Sequence, residues 1–198
     1  MAAQDKKKEK KLGWKKSTVL YLHDLLYLLV AIMVLFLLLF RVIIVSGDSM
    51  KMTLLDGDHL LLLSNNFYRN PQAGDIVVIS KESFDNGAPI VKRVIATEGQ
   101  TVDIDFTNGI VYVDDVPLQE DYINNLTTYD EGVVFPLTVE DGCIFVLGDN
   151  RAVSKDSRNP EIGQIDTREV LGKAIYLLYP GNDKGKAVQD YDRIGAIK

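Results

Sequence analysis

An apolar run from Ser17 to Phe40 constrains this chain more than any other feature: only His23 and Asp24 interrupt it, and Leu25–Phe40 holds no charge. A helix over residues 17–40 rises about 36 Å, enough to cross a hydrocarbon core of about 30 Å with some tilt. A cleaved export signal would have an apolar stretch of only about 7–15 residues, then small residues at the cut. Arg41-Val42-Ile43-Ile44-Val45 offers no Ala-x-Ala. Residues 17–40 are therefore expected to be an uncleaved transmembrane anchor. His23 and Asp24, near its lysine-rich end, belong at the headgroup level, where a charge costs little.

The charges sort around this run. Residues 1–16 carry seven lysines against Asp5 and Glu9, a local charge of +5, whereas the whole chain is −6. Asp24 and Arg41 cancel, so the chain from residue 42 onward carries −11. A basic tail beside an apolar run is a topology signal. The expected organisation is a cytoplasmic tail (1–16), a single-pass anchor in the cell membrane (17–40) and an extracytoplasmic domain (41–198). So acidic a body argues against binding a phosphate backbone, and a nucleic-acid partner is set aside. Cys143 is the only cysteine, so no intrachain disulfide can form. In Gly142-Cys143-Ile144-Phe145-Val146-Leu147 it reads as a small hydrophobe.

Past the anchor, short apolar runs recur at Leu60–Leu63, Ile76–Ile79, Ile90–Ile95, Val102–Ile104, Ile110–Val113, Ile144–Leu147 and Ala174–Tyr179. Turn signals divide them: Asp56-Gly57-Asp58, Gly74-Asp75, Asn86-Gly87, Asn108-Gly109 and Gly181-Asn182. Asn108-Gly109 predicts a hairpin between Val102–Phe106 and Ile110–Val113. Ser64–Asn70 and Asp166–Leu171 suit short helical turns. Residues 114–142 are polar and irregular and read as a surface insertion. The charged stretch Asp183–Lys198 reads as frayed. The fold class is mostly β: one transmembrane helix, then a single all-β domain.

Ser49 follows the anchor closely, in Ser46-Gly47-Asp48-Ser49-Met50, with no usable histidine downstream to activate it. Downstream instead lies Lys92, in Ile90-Val91-Lys92-Arg93-Val94-Ile95, and then the polar block Gly148–Arg158. A serine hydroxyl is a poor nucleophile until a base takes its proton. Lysine can do so only as the neutral amine, which burial among apolar groups favours. Alternate strand residues share a face, so Lys92 groups with Ile90 and Val94, and Arg93 with Val91 and Ile95. One of the two cations must then occupy an apolar face. Lys92 is the candidate base, because arginine is not deprotonated in proteins.

At these residues the chain resembles the bacterial type I signal peptidases. Ser46–Leu54 is similar to their nucleophile box, Gly74–Val78 to the following strand, and Val91–Ile95 with Glu98-Gly99 to their lysine box. Gly148-Asp149-Asn150-Arg151, Ser154 and Asp156-Ser157-Arg158 resemble their third signature. The likeness covers the anchor and most of residues 42–179. It implies an all-β, signal-peptidase-like (LexA-like) catalytic domain in the compact single-anchor form typical of Gram-positive bacteria. It also implies a serine endopeptidase that cuts signal peptides from exported preproteins after Ala-x-Ala, alongside the export machinery.

The resemblance further implies residue roles. Ser49 would be the acylating nucleophile and Lys92 its general base, with Ser154 hydrogen-bonded to the Lys92 amine. Asp149, Arg151, Asp156 and Arg158 would form a supporting ion-pair network, and the Ser49 N–H would be one oxyanion donor. Met50, Leu54 and Val91 would line shallow substrate pockets. Val42–Val45 and Leu54-Leu55 would help the domain lie against the bilayer. Two positions depart from the family pattern. Met52 stands where proline is usual, removing a φ restraint from the turn and predicting local loosening. Gly47 stands where some relatives carry a hydroxyl as second oxyanion donor.

No metal or cofactor is expected, since no His/Cys/carboxylate cluster has ligand spacing and His59 stands alone. Two rival readings are a non-catalytic interaction module of the same fold and a sortase-like transpeptidase. The second would need Cys143 to be the nucleophile. Self-cleaving repressors share a Ser/Lys arrangement but have no anchor, and a related endoplasmic-reticulum class uses histidine where Lys92 stands.

Overall fold

The computed structural model describes residues 2–182 and 189–197, residues 2–16 by their backbone alone. It forms two units, one ending at Leu39 and one beginning at Phe40. The first is a single helix, α1 (Ala2–Leu39), in which Ser17–Leu39 has a mean hydropathy of 2.5 and is long and apolar enough to cross a membrane. A helix apolar on every side needs either a surrounding core or lipid. The side chains of Val19–Leu38 are exposed around the whole circumference, which fits an anchor. Phe40, expected within the anchor, instead opens the first strand.

The second unit holds strands β1 (Phe40–Ile44), β2 (His59–Ser64), β3 (Ile76–Ile79), β4 (Ile90–Thr97), β5 (Thr101–Asp105) and β6 (Ile110–Val113). Then follow β7 (Val116–Pro117), β8 (Leu137–Thr138), β9 (Cys143–Leu147), β10 (Ile165–Asp166), β11 (Val170–Tyr179) and β12 (Gly195–Ala196). The larger sheet runs β1-β2-β11-β3-β4-β9-β10, with β12 on β11; the smaller runs β7-β6-β5-β8. Every pairing is antiparallel.

Burial follows the sequence pattern. The run Ile-Val-Val-Ile of β3 is buried on both faces, as a continuous apolar strand must be, whereas β2 and β6 alternate and cover one face. Three apolar clusters result. Met50, Leu54, Leu60, Leu62, Ile76 and Val91 fill one beneath the β1–β2 connection. Ile95, Val102, Val111, Phe145 and their neighbours join the two sheets. Val77, Ile79, Val94, Val146 and Ile162 fill the third. The hairpin predicted at Asn108-Gly109 is present, pairing Asp105 with Ile110.

Several expectations change. Residues 114–142 are not merely an excursion, because β7 and β8 within them complete the smaller sheet. Of the run expected to meet lipid, Val45 and Leu54 are buried in the first cluster, whereas Val42 and Ile44 point outward. The stretch read as frayed is docked wherever it is described. There β12 pairs with Tyr176 and Leu177, and Arg193 forms an ion pair with Asp58. Residues 183–188 and 198 lie outside the described residues.

Candidate active site

Three connections converge on one point. The β1–β2 loop carries Ser49, strand β4 carries Lys92, and the segment leaving β9 carries Gly148–Arg158. The loop is closed at its base, where Val45 N–H donates to the Asp58 carbonyl at 2.8 Å and Gly57 N–H to the Val45 carbonyl at 2.9 Å. It is held from the β9 side as well. Asn150 donates its backbone N–H to the Ser49 carbonyl at 2.9 Å and its side-chain amide to the Asp48 carbonyl at 3.0 Å.

At the centre, Lys92 Nζ donates to Ser49 Oγ at 2.9 Å and to its neighbour's Val91 carbonyl at 3.0 Å. Lys92 is 3% exposed. Burial brings its amine down from 10.5 to about 8, against the charges of Asp156, Asp149 and Glu131, which act to raise it. A buried lysine near neutrality within hydrogen-bond reach of a hydroxyl can act as a general base. Among the described residues the Ser49 N–H donates to no acceptor, whereas Gly47 N–H is taken up by Asp56 Oδ1 at 2.9 Å.

Although the alternation of strand faces predicts one buried cation, both Lys92 and Arg93 are buried. Arg93 is also 3% exposed and is neutralised by Asp149, with Nε donating to Oδ1 at 2.9 Å and Nη2 to Oδ2 at 2.8 Å. The polar block divides into separate pairs, each drawing on a residue that sequence reasoning did not single out as a partner. Asp149 pairs with Arg93, and Arg151 with Glu120. Arg158 grips Asp156 through Nε at 2.8 Å and Nη2 at 3.0 Å, with Glu131 3.3 Å away. Asp156 also accepts the Gly148 N–H at 3.0 Å, which ties the block to the end of β9.

Ser154 is buried beside Gly148, and its hydroxyl donates to the Lys155 carbonyl at 3.5 Å; the expected bond to Lys92 is not formed among the described residues. Among the described residues the acceptors on Nζ are Ser49 and Val91. Met50 and Leu54 are each 1% exposed, as core beneath the loop. Val91 does line a cleft of about 310 Å³ beside Ser49, together with Ile43, Ile44, Val45, Pro89 and Ile90. The signal for its β1 wall was the change at residue 42 from a Leu-rich run to β-branched Val-Ile-Ile-Val, which favours strand.

Met52 holds φ +88° in a turn closed by Thr53 N–H donating to the Met50 carbonyl at 3.1 Å. A proline ring fixes φ near about −65°, so this is a different turn from one built on proline rather than the same turn with a restraint removed. Cys143 is half-buried on β9, and burial, then Asp166 and Glu140, hold its thiol up, leaving little thiolate. No cluster of metal ligands occurs among the described residues.

A family model described as signal peptidase, peptidase S26, matches residues 19–179, and the chain belongs to that family. A probable signal peptidase I-1 of Synechocystis sp. is 38% identical over 72% of this chain and 72% of that protein. Signal peptidase I T of Bacillus subtilis is 31% identical over 85% of this chain and 91% of its own length. A crystal structure of a signal peptidase I from Enterococcus faecalis V583 aligns with a TM-score of 0.44 and 34% identity, covering 52% of this chain and 96% of that one. Together the family and the named relatives make this a signal peptidase I enzyme, a protease that removes signal peptides. The non-catalytic alternative gives way to it.

Proposed function

We propose that this enzyme cuts preproteins through a Ser49/Lys92 dyad and an acyl-enzyme intermediate. The observation that carries the reading is the 2.9 Å approach of Lys92 Nζ to Ser49 Oγ at a buried amine brought down to about 8. Neutral Lys92 takes the hydroxyl proton as Ser49 Oγ bonds to the scissile carbonyl carbon. The negative charge on the carbonyl oxygen develops towards the Ser49 N–H, the kind of fixed donor that stabilises such charge. As the carbon–nitrogen bond breaks, Lys92 returns the proton to the leaving amine. Lys92 then deprotonates a water, which hydrolyses the ester and frees Ser49.

The apolar cleft lined by Ile43, Ile44, Val45 and Val91 supports a preference for small apolar side chains before the cut, as in Ala-x-Ala. Asp149, Arg151, Asp156 and Arg158 hold the frame, and Ser154 is buried within it beside Gly148. The lysine-rich residues 1–16 support a cytoplasmic N-terminal tail. The catalytic domain would then lie outside the bilayer, where preproteins emerge from the export machinery.

The test is cleavage of a preprotein with an Ala-x-Ala site by wild type, Ser49→Ala and Lys92→Ala in liposomes across pH. Cleavage by wild type alone is expected, rising with pH through a midpoint near 8. Activity surviving in Ser49→Ala would sink the mechanism.

A further inference from the structure

One fully buried carboxylate has no part in the chemistry above. Asp58 ends the loop that carries Ser49, and its two oxygens take four N–H donors from three parts of the chain. Oδ2 accepts from Leu55 N–H at 2.8 Å and from Arg193 Nη2 at 2.6 Å. Oδ1 accepts from Gly181 N–H at 2.6 Å and from Arg193 Nη1 at 2.9 Å. The fork of Arg193 thus matches both carboxylate oxygens, the strongest ion-pair geometry available to a protein. Its Nη2 also donates to the Thr53 carbonyl at 3.3 Å.

Thr53 is therefore gripped twice. Arg193 holds its carbonyl, while its hydroxyl donates to Asp149 Oδ2 at 2.5 Å, on the carboxylate that pairs with Arg93 beside Lys92. The segment that supplies Arg193 is itself fastened down. Its strand β12 pairs with β11, Ile197 N–H donates to the Ile175 carbonyl at 3.1 Å, and Ile197 packs against the cluster that contains Met50 and Leu54. All of it lies beyond residue 179, where the match to the family model stops.

We propose that Arg193 is a positioning residue, which with Asp58 straps the segment Gln189–Ile197 to the turn Met50–Leu54 and so holds Ser49 in register with Lys92. The inference rests on reading Ser49 as the nucleophile. The turn has a physical need for such a hold: Met52 keeps φ +88°, a conformation that side chains other than glycine disfavour and that persists only where surroundings enforce it. A displacement of about 1 Å at a reacting group can lower a rate by about 100-fold, so a small relaxation of this turn would be felt in kcat.

Arg193→Gln and Arg193→Lys would be compared with wild type, with Arg168→Gln as a control at the exposed Arg168–Asp166 pair. Each would be measured for kcat and KM on one preprotein, for thermal midpoint, and for amide exchange over residues 50–55. The Thr53 and Leu54 amides, both bonded to the Met50 carbonyl, report the turn directly. Arg193→Gln is expected to lose about tenfold in kcat with KM within about twofold. Exchange over 50–55 should quicken while β4 stays protected. Arg193→Lys, which keeps the charge but not the fork, should regain part of the thermal midpoint without regaining kcat, and Arg168→Gln should match wild type throughout. Unchanged kcat and exchange in Arg193→Gln would overturn the strap, as would a kcat that returns in step with thermal midpoint in Arg193→Lys. If wild type fails to cleave, or Ser49→Ala still cleaves, the catalytic reading has failed. Exchange over 50–55 then decides the strap alone, and equal protection in wild type and Arg193→Gln would end it.

Discussion

Arg93 and Asp149 meet in the interior through two hydrogen bonds of 2.9 and 2.8 Å, with side chains 4% and 0% exposed, one residue along β4 from Lys92. The Tyr122 ring covers the guanidinium carbon at 4.0 Å. Neighbouring cations on one strand are thus handled in opposite ways. Arginine is neutralised by a partner; lysine, with no carboxylate on its amine among the described residues, is driven towards neutrality.

Asp149→Asn would leave the Arg93 charge buried without its counterion. Removing one member of such a pair costs about 3–5 kcal/mol, and the loss should appear in denaturant unfolding of the purified enzyme. Arg93→Lys should also lose stability, because an ammonium cannot make both bonds of the fork. A loss under about 1 kcal/mol for Asp149→Asn would mean that the pair is open to water, as surface pairs are.

Gly148 has no room for a side chain. A Cβ there would collide with the Ser154 hydroxyl and lie 2.5 Å from Ser154 Cβ and 2.6 Å from the Ser49 carbonyl oxygen. Gly148→Ala should therefore cost about 1–3 kcal/mol by overpacking and depress cleavage, since the displaced atoms include the backbone of Ser49. Adding Ser154→Gly would relieve only the side-chain collision. Partial recovery of thermal midpoint without recovery of activity is the expected result, and full recovery of both would show that the Ser49 carbonyl does not matter.

Local patterns were legible in the sequence where they were sufficient. Ile76–Ile79 and Ile110–Val113 are strands to the residue, each an apolar run preceded by a glycine-containing turn. The pairing of Ser49 with Lys92 follows from residue chemistry and from the family likeness. Partners set by tertiary approach were not legible. Glu120 and Glu131 reach Arg151 and Arg158 from across a polar excursion, and no spacing rule marks a carboxylate that far away. Asp58 looked like one more turn residue, because its donors come from Leu55, Gly181 and Arg193. Met50 and Leu54, expected as pocket residues, are 1% exposed and pack in the cluster beneath the loop. Apolar character alone cannot tell a wall of the cleft from the core beneath it.

Met52 offers a test of the turn itself. At φ +88° a residue with a Cβ is strained by about 1–2 kcal/mol, whereas glycine adopts the conformation freely. Glycine's greater unfolded-state entropy offsets about 0.5–1 kcal/mol of that gain, so Met52→Gly should stabilise the enzyme by roughly 0.5–1 kcal/mol. The exposed Met52 side chain forfeits little packing in the exchange. Met52→Pro should destabilise, because its ring cannot take a positive φ. A more stable proline variant would mean that the turn converts to another form at little cost.

Lys92 should leave a signature in stability as well as in rate. Its amine lies at about 8 when folded against 10.5 ordinarily, lowered chiefly by burial. Below pH 8 the folded state must keep a charged amine out of water, so the lysine costs stability. Between about pH 8 and the unfolded value of about 10.4 the unfolded chain still binds the proton and the folded one does not, so stability climbs with pH. Above both values the difference vanishes. At about 1.36 kcal/mol per unit the gap amounts to roughly 3 kcal/mol. Lys92→Met should therefore be inactive yet more stable than wild type at pH 7 by up to roughly 3 kcal/mol, with the advantage fading towards pH 10. Denaturant unfolding of both proteins at several pH values measures this. A difference that stays constant from pH 7 to pH 10 would mean that the Lys92 amine titrates as it does in water, and would remove the basis for its acting as a base near neutral pH.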